Sequence, residues 1–149
     1  MKTTLYCREL RAVYGPSPAM TPPGNRVMGA QDAFAVIAPM LESAAEEHAV
    51  MLLLDARHQV IAISQASTGG VSGTLVDPKV VFRAALLANA SGVIFAHNHP
   101  TGDVAPSADD LALTRRLGEA GEMIGCQLLD SIVIGNGRYY SCREHGVLR

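Results

Sequence analysis

The stretch "GVIFAHNHPTGDVAPSADD", residues 92–110, decides how this chain is read. Its first five residues are short, apolar and bounded by glycine and turn formers, the pattern of a buried strand. His97 and His99 follow directly. Side chains alternate along an extended segment, so the two imidazoles project to one side and Asn98 points away. Pro100, Gly102 and Pro106 shape a loop, after which Ser107 caps a helix, "ADDLALTRRLGEAGEMIG", with Gly121 tolerated near its end. Asp110 falls in the first turn of that helix and can point back across the loop to the strand end. Two imidazole nitrogens and one carboxylate oxygen suit zinc, with a fourth position left for water. A plainer reading exists: S-x-x-D starts many helices, and an isolated H-x-H is more often a surface turn. The joint placement, at a buried strand end and a facing helix start, sets the metal reading level with the plain one.

The same signals extend outward. "AQDAFAVIAPMLESAAEE", residues 30–47, has helical spacing at Phe34, Ile37 and Leu41, with Pro39 expected to kink or break it. "HAVMLLLDARHQVIAIS" reads as two strands joined at "DARH". Asp77 and Pro78 form an N-cap and first-turn pair for the helix "DPKVVFRAALLANA". "SIVIGNGRYYS" is a hairpin around an Asn-Gly turn. Strands and helices alternate, so the expected fold is a three-layer α/β domain with a mixed sheet flanked by helices.

The 149 residues suffice for one domain with a sizeable core. "YGPSPAMTPPGN" holds four prolines in twelve positions, so residues 1–27 read as a proline-rich arm ahead of a domain at 28–149. A net charge of −2 gives no electrostatic case for nucleic acid. Arg115 and Arg116, set among Glu119 and Glu122, read as a mixed solvated helix face. Cys7, Cys126 and Cys142 form no C-x-x-C pair, and their odd number does not suggest a disulfide framework. With no signal-peptide core and no membrane-length apolar run, a cytoplasmic location is expected.

A hydrolytic zinc site also needs a general base near its water. Glu42, Glu46 and Glu47 all stand just ahead of "AVMLLL", and periodicity cannot choose among them. Asp55 is weaker, because aspartate is structurally favoured at a hairpin turn.

Taken together, "AHNHPTGDVAPSADD", a glutamate ahead of "HAVMLLLD" and the tail "LLDSIVIGNGRYYSCREHG" closely resemble the RadC family of the JAMM (MPN-type) metalloprotease superfamily. The resemblance covers roughly residues 29–149. The pattern E…H-x-H-x(7)-S-x-x-D fits at Glu47, His97, His99, Ser107 and Asp110, Glu47 being selected because it precedes Asp55 by eight positions. The resemblance implies one zinc held by His97, His99 and Asp110, with Glu47 as general base and Ser107 stabilising an oxyanion. The implied fold is a mixed sheet flanked by helices, similar to that of zinc deaminases. Deaminase chemistry is disfavoured, since neither H-x-E nor P-C-x-x-C is present.

Two departures stand out. Longer members carry an N-terminal helical domain, where this chain has the proline-rich arm. Many members read D-H-[IV]-[IV], where this chain has Ser131 in place of the histidine. The name RadC implies DNA repair, and nothing in this sequence supports that association independently. The expected activity is zinc-dependent hydrolysis of a peptide or isopeptide bond in a peptide or protein substrate, with a homo-oligomer as a further expectation. The alternatives are a non-enzymatic or DNA-processing accessory module on the same fold, and a metal-dependent nuclease. Among the remaining features, "STGGVSGT" (67–74) reads as a surface loop that can border the cleft. Cys126 reads as a core thiol, His48 and His58 lack partners at ligand spacing, and His145 is expected in solvent.

Overall fold

A computed structural model of the protein describes Gly15, residues 26–68 and residues 76–149. The rest of the proline-rich arm, Cys7 and residues 69–75 of the glycine-rich stretch lie outside the described residues. The order of elements is α1 (Ala30–Leu41), β1 (His48–Leu54), β2 (Val60–Thr68), α2 (Pro78–Leu87), β3 (Gly92–Asn98), α3 (Ala108–Ile124), β4 (Gln127–Gly135) and β5 (Arg138–Ser141). The five strands form one sheet in the order β2-β1-β3-β4-β5. Only β3 and β4 run parallel, joined through α3; the other pairs are antiparallel. The expected three-layer α/β architecture with a mixed sheet is therefore the observed one.

Each central strand feeds two cores by alternation. On one face Val50, Leu52 and Leu54 of β1 join Ile94 and Ala96 of β3 beneath Ala33, Ile37 and Leu41 of α1. On the other, Ala49, Met51, Leu53, Val93 and Phe95 pack under Val81 and Phe82 of α2 and Leu117 of α3. Burial on both faces explains why "AVMLLL" is continuously apolar rather than alternating.

The helix and turn chemistry is that expected, with refinements. Pro39 sits inside α1, which ends two residues later, and the Glu42 amide still bonds the Ala38 carbonyl at 2.9 Å. Asp77 caps α2 by accepting from the Lys79 amide at 2.9 Å. Asn136 (φ 49°) and Gly137 (φ 69°) both take left-handed conformations at the β4–β5 turn, the geometry that an Asn-Gly hairpin supplies. Gly121 is required rather than tolerated: a Cβ there would collide with the Cys126 carbonyl oxygen, so glycine lets α3 approach β4 closely. The packed unit also reaches back into the arm as its prolines delimit it. Arg26 bridges to Gln59, and Val27 is buried in the α1-side core. No helix among the described residues is long and apolar enough to cross a membrane.

Candidate metal centre

The centre lies where β3 ends. His97 is on the face shared with Ala49 and Phe95, and His99 stands one residue past the strand, its amide donating to the Ile134 carbonyl at 2.8 Å. That bond keeps the backbone extended, so both imidazoles turn to the same side. Their Nε2 atoms are 3.1 Å apart. Facing them from α3, Asp110 places Oδ1 3.3 Å from His97 Nε2 and Oδ2 3.2 Å from His99 Nε2.

Local chemistry fixes Asp110. Ser107 Oγ accepts from the Asp110 amide at 3.0 Å, while Asp110 Oδ2 accepts from the Ser107 amide at 2.8 Å. This reciprocal cap is the plainer reading of S-x-x-D, and it is present. One carboxylate closes the helix and faces the histidines. The loop before it is anchored at Gly102, which packs against Gly135 so closely that a Cβ on Gly135 would stand 2.9 Å from the Gly102 carbonyl. His99 Nδ1 meets the Asp103 carbonyl oxygen at 2.7 Å, the outer bond that fixes a ligating imidazole's tautomer.

The donor set fits a cation. His97, His99 and Asp110 each offer one ligand atom, and these lie within 4.8 Å of one another. Bonds of ~2.0–2.1 Å at tetrahedral angles put neighbouring donors about 3.3 Å apart. The two imidazole nitrogens, 3.1 Å apart, match that edge length, and they lie 3.3 and 3.2 Å from different oxygens of the one Asp110 carboxylate. His97 is buried, and its Nδ1 has no hydrogen-bond partner among the described residues. Burial pushes the Asp110 carboxyl up, but the His97 imidazole and the Ser107 bonds outweigh it and hold the group well below the usual carboxylate range. The pocket is thus built to keep a negative oxygen facing two imidazoles.

Of the other residues singled out in the sequence, Ser107 is exposed beside the centre, with its hydroxyl proton free of the cap, where the oxygen only accepts. Glu47 is exposed immediately before β1, two positions ahead of Ala49, which pairs with His97. Its side chain makes no hydrogen bond or ion pair among the described residues. Glu42 caps the end of α1 and lines a polar cleft with Asn98, His99 and Thr101. Asp55 binds the amides of Arg57 and Gln59 with Oδ1, a purely structural turn role. Cys126 is a core thiol whose pKa is raised by burial. His145 is exposed as expected, yet ordered: it stacks on Tyr140 with ring centroids 4.0 Å apart.

Three polar residues near the centre have partners that the sequence does not reveal. Buried Asn98 accepts from the His48 amide at 2.7 Å and donates to the Glu46 carbonyl at 3.0 Å. Buried Thr114, one turn beyond Asp110 on α3, donates to Ser131 Oγ at 2.9 Å and lies 3.9 Å from Cys142 Sγ. Ser131 therefore belongs to a small polar cluster tying α3 to β4 under the metal-facing turn. Asp130, also buried, accepts from the amides of Ser131 and Arg143 and from Ser141 Oγ, pinning the C-terminal turn to β4. Their partners are 11 to 54 residues distant for every bond but one, so only the oddity of a polar residue within an apolar run signals them.

Comparison with known proteins agrees with this geometry. Residues 27–147 match the RadC-like JAB domain family. A UPF0758 protein of Methanococcoides burtonii is 36% identical over 126 residues, covering 85% of this chain and 55% of its own length. Its counterpart in Pelobacter propionicus is 46% identical over 108 residues, covering 72% of this chain and 47% of its own. One from Symbiobacterium thermophilum is 44% identical over 115 residues, covering 77% and 49%. The chain spans about half the length of these curated relatives. With the family matched across the whole folded unit, and a His-His-Asp group able to hold a metal ion at its expected place, this chain belongs to the RadC-like JAB domain family.

Proposed function

We propose that the protein is a zinc-dependent hydrolase of peptide or isopeptide bonds, with His97, His99 and Asp110 as ligands. The observation that carries the reading is the convergence of two imidazole nitrogens, 3.1 Å apart, on a carboxylate whose two oxygens lie 3.3 and 3.2 Å from them. A zinc ion at this position supplies Lewis acidity and lowers the pKa of water from 15.7 toward ~7. Glu47 accepts the proton of the attacking water and returns it to the departing amine. The Ser107 hydroxyl, whose oxygen accepts from the Asp110 amide, has its proton available to the carbonyl oxygen as negative charge develops there. A two-metal nuclease needs several bridging carboxylates, and among the described residues a single three-residue group occurs.

The test is metal analysis of the native protein joined to a peptide and isopeptide cleavage screen. Chelation should abolish cleavage and zinc should restore it, with about one metal per chain. Glu47→Gln should keep the zinc and lose ~10²–10⁴-fold in rate, the usual worth of a general base. A Glu47→Gln protein that stays fully active moves the base to Glu46 or Glu42. Absence of cleavage by the wild type across a broad panel refutes the hydrolase and leaves a metal-holding interaction module.

A further inference from the structure

The base proposed above stands where the sheet gives it no support. Ladder pairing between β1 and β3 ends at Ala49 and His97, and Glu47 lies two residues beyond. At the next position the backbone ladder is replaced by a side chain. Asn98, between the two histidines and pointing to the opposite face, is 4% exposed and spends its carboxamide on that segment alone. Its Oδ1 accepts from the His48 amide at 2.7 Å, and its Nδ2 donates to the carbonyls of Glu46 at 3.0 Å and Ala44 at 3.5 Å. The main chain is therefore gripped on both sides of Glu47 by the residue that separates His97 from His99. A carboxamide suits this task because it carries donor and acceptor on one rigid group. Aspartate lacks the donor, and serine is a bond shorter.

We infer that Asn98 is the positioning residue for Glu47, setting the base in register with the two histidines by clipping residues 46–48 to the end of β3. This rests on the reading of Glu47 as base, and it adds that the middle residue of H-N-H acts through the backbone of a segment fifty positions away. It also explains how Glu47, one of three exposed glutamates, keeps a defined backbone place without a side-chain partner among the described residues.

The experiment uses the full zinc-loaded chain, with Asn98→Ala and, in case that variant folds poorly, Asn98→Asp, which keeps shape and acceptor but loses the donor. Amide exchange at His48 should accelerate sharply in Asn98→Ala while zinc stays at one per chain. On a substrate from the cleavage screen, kcat should fall ~10–100-fold, as expected for a catalytic group displaced by about 1 Å, with KM unchanged. In a Glu47→Gln background the same change should cost less than about twofold, because the base it positions is already gone. Unchanged His48 exchange, an unchanged kcat, or an equal loss in the Glu47→Gln background overturns the inference. Should the wild type cleave nothing, the hydrolase reading fails, and His48 exchange alone decides: protection lost in Asn98→Ala upholds the clip, protection absent from the wild type refutes it.

Discussion

Two carboxylates on opposite sides of the α3–β4 junction, Asp110 and Asp130, show how one chemical group serves two ends. Asp130 is buried and answers only to hydrogen-bond donors: the amides of Ser131 and Arg143 at 2.7 and 3.0 Å, and the Ser141 hydroxyl at 2.5 Å. Both of its oxygens are used up by the fold. Asp110 spends one oxygen on the Ser107 amide and turns both toward imidazole nitrogens whose other close neighbour is each other. The first arrangement is closed and structural. The second faces two imidazoles across a gap, and with them it forms a group that could hold a metal ion. The difference lies in the identity of the surrounding donors rather than in depth alone, since the Asp110 side chain is itself only 18% exposed.

The sharpest way to break the contrast is to remove each carboxylate and read metal and stability separately. Asp110→Ala, or His97→Ala, should lower zinc affinity by more than the ~10–100-fold that loss of an outer-shell partner causes. The fold should survive, because Asp110 contributes a helix cap and His97 a single buried ring. Titration with a competing chelator measures the first effect and thermal melting the second. Full zinc occupancy in either variant would remove it from the ligand set. Asp130→Ala should do the reverse. It strands the buried Ser131 amide and Ser141 hydroxyl and the half-buried Arg143 amide, so about 3–5 kcal/mol of stability should go, given ~1.5–3 for each bond to a charged group and incomplete additivity. Zinc per folded molecule should not change. A melting curve like that of the wild type would make Asp130 dispensable and the contrast false.

The sequence reveals most of the Asp110 side of this comparison and little of the Asp130 side, for a physical reason. His97, His99, Ser107 and Asp110 lie within one strand–loop–helix unit, where alternation and capping rules fix directions from spacing alone. The hairpin at Asn136-Gly137 and the Asp77 cap are legible for the same reason. Glu47 is different. Its neighbours in space come from β3, and no local period distinguishes it from Glu42 or Glu46; family resemblance selected it where spacing could not. Alternation gives the direction of Asn98, away from the two imidazoles, but its partners sit 50 to 54 residues earlier. Ser131 looked like a lost histidine, and only the packed α3 reveals Thr114 above it. Gly121 looked neutral because the constraint on it is the approach of β4, which no helix pattern records.

Between the two carboxylates stands the Thr114–Ser131 bond, which fixes α3 against β4 one turn below Asp110. Thr114→Val keeps the shape and removes the donor. About 1–2 kcal/mol of stability should be lost, the cost of a buried hydroxyl left without its partner. Zinc affinity should fall only slightly, because the ligands keep their own cap and loop. A loss as large as that of Asp110→Ala would show instead that the cluster governs the ligand geometry. Thr114→Ser should recover most of the stability.

The smallest effect is expected at Ser107, where the two roles assigned to one hydroxyl can be separated. As a cap, its oxygen accepts from the Asp110 amide at 3.0 Å, and Ser107→Ala should cost ~1 kcal/mol. For a chain of this length that corresponds to a fall of about 2–4 °C in melting temperature. Zinc should remain, because Asp110 Oδ2 still receives the amide of residue 107, which alanine retains. The proton on that oxygen carries the second role. If it stabilises developing negative charge, alanine should also lower the rate by ~10²-fold or somewhat more on substrates the wild type cleaves. Ser107→Asn discriminates between the two: asparagine caps helices about as well as serine, so the melting temperature should return. Its longer amide cannot place a donor where the hydroxyl stood, so the rate should stay low. A rate that recovers together with the melting temperature would reduce Ser107 to a cap, and leave the carbonyl oxygen to the metal alone.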